Sequence, residues 1–174
     1  WWQDNTDGID YSRKSDFHWI SLIRLPDFVT KEEFQSTIQR NGLLEYAQYC
    51  DNFYGTPKAY VEEQLANGKD VILEIEVQGA LQIKEKFPET LLLFVTPPSA
   101  QVLKNRLAGR GTETEEVINK RMRRAAEESE SMSLYDNIIV NDDLEECVKY
   151  THNVIQSAHS TPDRVSKLIA NLKE

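Results

Sequence analysis

Lys69-Asp70-Val71-Ile72-Leu73-Glu74-Ile75-Glu76-Val77-Gln78-Gly79-Ala80 reads as a short apolar strand between Gly68 and Gly79, interrupted by two carboxylates. Alternate residues of a strand share a face, so Glu74 and Glu76 point the same way, roughly 7 Å apart at their Cα atoms. Leu73, Ile75 and Val77 take the opposite face. A buried parallel strand normally carries no charge on either face. Two readings fit the acids: a strand ending at a crevice where a ligand or metal sits, as in open α/β sheets, or an edge strand with one wet face.

Outward from this stretch, strands and helices alternate from residue 57 onward, which predicts a parallel α/β sheet. Thr56 as N-cap and Pro57 open a helix with an apolar stripe of Val61 and Leu65, stopped by Gly68. Gly79 to Lys86 forms a short helix. Leu91 to Val95 forms an apolar strand, and Ser99 caps a helix over 100–108. Gly109-Arg110-Gly111 is a turn. Thr112 and Glu115 make a capping box for a long helix to about Met132. Ile138 to Val140 is a short buried strand, Asp142-Asp143 opens the last helical region, and Pro162 interrupts it before a final helix.

Before residue 57 the pattern is mixed. Phe17 to Ile23 has strand character. Thr30 and Glu33 form a capping box for a helix to Asn41, which Gly42 stops. Leu43 to Tyr49 and Phe53-Tyr54, joined at Asp51-Asn52, read as an antiparallel hairpin with Glu45 embedded in it.

Composition excludes several classes. The length of 174 residues suits one domain, and a net charge of −9 argues against general nucleic-acid binding. Seven of the 20 basic residues nevertheless fall between Lys104 and Arg124, among only three acids. That region suits an anion such as a phosphate chain, or is a solvated helix face. Cys50 and Cys147 sit in no metal-spaced set, and no apolar run is long enough to span a membrane. A reduced, cytoplasmic protein with no membrane or nucleic-acid partner is expected; the oligomeric state is not legible.

Several separated stretches, in order, resemble one family. They are Asp7-Gly8-Ile9-Asp10-Tyr11, Leu43-Leu44-Glu45-Tyr46-Ala47, Asn52-Phe53-Tyr54-Gly55-Thr56, Leu73 to Gly79, Pro97-Pro98-Ser99, Arg106-Leu107 through Gly109-Arg110-Gly111-Thr112-Glu113-Thr114, Asn119-Lys120-Arg121 and Val140-Asn141-Asp142-Asp143. The set is similar to bacterial guanylate kinases, nucleoside-monophosphate kinases of the P-loop superfamily. The resemblance implies an α/β fold: an incomplete parallel-sheet P-loop-type core (60–100 and 129–174), a mixed GMP-binding sub-domain (7–59) and a helical lid (101–128). It implies transfer of the ATP γ-phosphoryl group to GMP with Mg2+ as cofactor.

The resemblance also implies residue roles. Glu45, Thr56 and Glu76 would read guanine, and Tyr11 and Tyr54 would hold the GMP phosphate. Arg106, Arg110 and Arg121 would close over the ATP phosphates as catalytic lid residues. Asn141 and Asp142 would lie at the adenine, and Glu74 would hold magnesium through its water shell. The types suit the tasks: a carboxylate accepts from two adjacent guanine N–H donors, and an arginine fork pairs with phosphate oxygens.

Two departures stand out. The 174 residues contain no Gly-x-x-x-x-Gly-Lys-Ser/Thr, and Trp2 stands where the family has an arginine for the GMP phosphate. Residues 12–27 intervene where the family continues almost directly, and read either as an insertion or as the product of a disturbed reading frame. An inactive chain is one expectation. A second class of function, a non-catalytic guanylate-kinase-like module binding phosphorylated partners, is favoured by the missing motif and disfavoured by the retained lid arginines.

Overall fold

The computed structural model describes residues 20–22, 30–49, 52–111, 113–161 and 165. The chain divides into two compact units, Trp1–Glu76 and Val77–Glu174.

In the first unit, strand β1 (Ile20–Leu22) pairs in parallel with β4 (Asp70–Ile72). Of residues 12–27, only 20–22 are described, and they form the strand beside β4. Helix α1 (Lys31–Gln39) starts as its sequence predicts. The Glu33 amide donates to Thr30 Oγ1 at 3.2 Å, and Thr30 N donates back to Glu33 Oε2 at 2.8 Å. Its end differs from expectation. Asn41, not Gly42, takes the left-handed conformation (φ 52°). Asn41 N bonds Ile38 O and Gly42 N bonds Thr37 O, each at 2.9 Å, a Schellman closure with asparagine at C′.

Strands β2 (Leu43–Tyr49) and β3 (Asn52–Pro57) form the expected antiparallel hairpin, with a register shift between Leu43 and Glu45. Phe34 and Phe53 pack with ring centroids 5.5 Å apart, and Leu44, Ala47 and Val61 are buried. Helix α2 (Lys58–Ala66) follows directly. Its N-cap is Pro57 rather than Thr56, because the Thr56 hydroxyl is committed across the hairpin. The Lys58 amide instead donates to Gly42 O at 2.9 Å. The buried residues of α2 are Val61 and Gln64, while Leu65 is exposed, contrary to the expected stripe.

The stretch 69–80 is the main correction. β4 ends at Ile72, residues 73–76 are irregular, and Val77 and Gln78 already belong to helix α3 (Val77–Lys86). Buried Gly79, Ala80 and Ile83 follow a helical spacing, which overrides the apolar alternation at Ile75 and Val77. Two carboxylates also have no place in a buried parallel ladder.

In the second unit, β5 (Leu93–Thr96) pairs in parallel with β6 (Asn137–Val140). Ile139 is fully buried, whereas Ile138 and Val140 are exposed, so β6 is buried on one face only. Helices α4 (Ala100–Gly109), α5 (Glu115–Ser129) and α6 (Leu144–Ala158) complete the unit, with a 3-10 turn at Glu130–Leu134. Ser99 caps α4 as expected. Thr114, not Thr112, caps α5 through Val117 N, standing directly before the acidic first turn Glu115-Glu116. Asp143 caps α6 through Glu146 N at 3.0 Å. The expected helix after Pro162 lies outside the described residues.

Asp136 ties this unit together. It accepts from Leu92 N at 2.7 Å and from Lys84 Nζ at 2.9 Å, and Lys84 also donates to Thr90 O at 2.6 Å. Burial pushes the Asp136 carboxyl up, but the Leu92 amide and the Lys84 bond and charge outweigh it, so the group sits below its usual range. A lowered carboxylate pKa adds stability above the unfolded value and loses it as pH falls through the folded one. Stability from Asp136 is therefore complete above about pH 4 and fades below it. Asp136→Asn is expected to cost about 1–2 kcal/mol at neutral pH, because the carboxylate is partly exposed. The wild-type advantage shrinks below about pH 4, measurable as urea midpoints of both chains across pH.

Candidate functional site

The first unit places Glu45 opposite Thr56 in the β2–β3 register. Both are buried, 3% and 6% exposed, and Thr56 Oγ1 donates to Glu45 Oε1 at 2.6 Å. A buried carboxylate is costly unless it is hydrogen-bonded. Here the bond comes from the neighbouring strand, so the hairpin fixes its direction. Gly55 lets the strands close on this pair: a Cβ there would lie 2.9 Å from Leu43 Cδ1 and 3.0 Å from Glu45 O. Tyr54, opposite Ala47, is half exposed. Tyr11 lies outside the described residues.

Glu74 and Glu76 lie beyond the C-terminal end of β4, Glu74 exposed and Glu76 partly buried. They are not cross-pleat neighbours on a strand. Among the described residues, no three His, Cys, Asp or Glu side chains gather as a metal-ligand set. An exposed carboxylate such as Glu74 still fits a magnesium ion, which keeps several waters and is held by one or two carboxylates together with substrate phosphates.

The second unit carries the arginines. Arg106 on α4 donates from Nη1 to Asn141 O at 2.8 Å and from Nη2 to Asp142 O at 3.2 Å. Its fork holds the loop between β6 and α6. Asn141 is 6% exposed, and its backbone N–H donates to Thr96 O at 2.8 Å. Arg106, Asn141 and Asp142, 35 residues apart in the chain, are therefore one cluster. Arg110 is the C-cap of α4, followed by Gly111 at φ +67°. Arg121 on α5 pairs with Glu113 at 2.9 Å, and Arg124 with Glu128 at 2.7 Å. Lys104, Lys120 and Arg123 are exposed. Sequence reasoning assigned no role to Glu113 or Asp136. Asp136 had no signal, since its partners lie 44 and 52 residues away.

Parallel strand pairs, helices and an antiparallel hairpin make this an α/β protein, and its match to a solved structure puts it in the P-loop nucleoside-triphosphatase class. The structure is similar to that of guanylate kinase from Anaplasma phagocytophilum, with TM-score 0.68 and 27% identity, over 83% of this chain and 79% of that one. The chain belongs to the guanylate kinase family, whose family model matches residues 27–158. It is 46% identical over 168 residues to the guanylate kinase of Oceanobacillus iheyensis, covering 97% of this chain and 74% of that one. It is 49% identical over 138 residues to that of Latilactobacillus sakei, covering 79% of this chain and 68% of the relative. No helix among the described residues is long and apolar enough to cross a membrane.

Proposed function

We propose that this chain is a guanylate kinase that transfers the γ-phosphoryl group of ATP to GMP, giving ADP and GDP. The observation that carries the reading is the buried Glu45–Thr56 pair at 2.6 Å. Guanine offers adjacent N–H donors on its Watson–Crick edge, and the Glu45 carboxylate accepts both. Adenine presents a ring-nitrogen acceptor there and leaves the carboxylate without a donor, which a buried site penalises heavily. The single proton of the Thr56 hydroxyl rests on Glu45 Oε1. When guanine N–H groups take over that oxygen, the hydroxyl turns its proton to the guanine carbonyl. Glu76 serves as the second acid at the base, and Tyr54 and Tyr11 bind the GMP phosphate.

Arg106, Arg110 and Arg121 neutralise charge on the γ-phosphoryl group as it passes from ATP to GMP and on the ADP left behind, since phosphoryl transfer depends chiefly on positioning and charge stabilisation. Asn141 and Asp142, clasped by Arg106, frame the adenine. Glu74 would hold hydrated magnesium, whose charge offsets that of the ATP phosphates. Residues 7–59 form the GMP sub-domain, 101–128 the lid, and 60–100 with 129–174 the core.

Tested as these 174 residues alone, the polypeptide is expected to bind GMP but turn over slowly, because they contain no Gly-x-x-x-x-Gly-Lys-Ser/Thr. Calorimetric titration with GMP, with AMP as control, tests the reading. Saturable GMP binding with AMP rejected is expected. Equal binding of both, or of neither, would overturn it.

A further inference from the structure

Glu113 lies within the Gly109 to Thr114 stretch, yet it has no task in the phosphoryl transfer itself. Its side chain is only 12% exposed, and Oε1 lies 2.9 Å from Arg121 Nη2. Its other oxygen, Oε2, is buried with no hydrogen-bond partner among the described residues. Arg121 sits two turns into α5, and Glu113 immediately precedes the Thr114 cap of the same helix. A largely buried acid at the helix start thus grips a 39% exposed arginine by one nitrogen. Two of the five guanidinium donors are on Nη2; the others, on Nε and Nη1, remain suited to further acceptors.

We propose that Glu113 is a positioning residue that holds Arg121 in its phosphate-binding orientation before ATP arrives. This rests on the reading of Arg121 as an ATP-phosphate ligand. Arginine has large rotamer freedom, and binding an anion with a loose arginine requires that freedom to be lost at that moment. A side chain already fixed by a largely buried partner avoids that loss. The burial of Glu113 matters because a solvated carboxylate would fix nothing: exposed ion pairs are weak and labile. The half-used carboxylate also explains why the hold is one-sided. A bidentate pair would engage two guanidinium nitrogens and compete with the phosphate.

The test combines MgATP titration with side-chain NMR of Arg121. In the unaltered chain, rotation of the Arg121 guanidinium should be slow before MgATP is added. Glu113→Ala should make it fast and weaken MgATP about 3- to 10-fold, the range expected for one newly immobilised side chain. Glu113→Gln keeps an oxygen for Nη2, so it should retain slow rotation and bind MgATP at least as well as the unaltered chain. Arg121→Ala should weaken MgATP about tenfold or more, and adding Glu113→Ala to it should change nothing further. GMP affinity should be the same throughout. If Arg121→Ala weakens MgATP but Glu113→Ala does not, or if the two losses add, the positioning role is wrong. If Arg121→Ala leaves MgATP binding unchanged, the ligand role of Arg121 falls first and takes this inference with it. Should Glu113→Ala unfold the chain, slow rotation in the unaltered chain and in Glu113→Gln still decides: fast rotation in either overturns the proposal.

Discussion

Glu45→Gln is expected to weaken GMP binding by about two orders of magnitude while leaving the fold nearly unchanged. Glutamine has almost the shape of glutamate and still offers one oxygen to the Thr56 hydroxyl, which lies 2.6 Å from Oε1 in the structure. What it loses is the second acceptor and the charge. Its amide hydrogens then face a guanine N–H, donor against donor, in a place only 3% exposed where water cannot intervene. The same substitution should narrow the preference for GMP over AMP, because the amide tolerates a ring-nitrogen acceptor. Calorimetry with both nucleotides measures the change, and the urea midpoint checks the fold. An unchanged GMP affinity would remove Glu45 from the base site. Glu45→Ala is the harsher comparison. It strands a buried hydroxyl and should cost about 1–3 kcal/mol of stability as well as binding.

Ile139→Ala is expected to destabilise the chain by about 2–5 kcal/mol, the usual range for a large aliphatic side chain cut back in a core. Ile139 is 0% exposed and sits in the middle of the β5–β6 ladder, opposite Val95. The backbone pairing with β5 fixes the strand, so neighbours cannot collapse fully into the space left behind. Val140→Ala, one residue on, is the control. Its side chain is 51% exposed, and the change should stay within about 0.5 kcal/mol. Urea unfolding of the two variants gives the comparison, and equal midpoints would contradict the one-sided burial of β6. The strand leads straight into Asn141 and Asp142, so loss of its anchor should also loosen the loop that Arg106 clasps.

Much of the fold was legible because its signals are local. The Thr30–Glu33 box, the Ser99 cap, the hairpin of residues 43–57 and the two stretches that became β5 and β6 each depend on neighbours within a few residues. Local signals also misled where two structures fit one pattern. Thr56-Pro57 has the form of a helix start, but a hydroxyl has one proton, and a buried carboxylate across the hairpin claims it ahead of solvated helix amides. Ile75 and Val77 alternate as in a strand, yet Gly79, Ala80 and Ile83 place that segment's end on a helix. Ile138 and Val140 are apolar but exposed, since apolar character does not say which face of a strand is covered.

The sequence by itself determined most of the element types, the charge distribution and the residue types of the candidate site, because propensity, capping and chemistry are properties of short stretches. The tertiary structure alone decided which of those residues meet. Thr56 on Glu45, Arg106 on the Asn141 and Asp142 carbonyls, Arg121 on Glu113, and Asp136 between Lys84 and Leu92 all join residues eight to 52 positions apart. Such contacts follow from strand register and helix packing, where a one-residue slip would turn every side chain to the other face. No window of sequence contains that information.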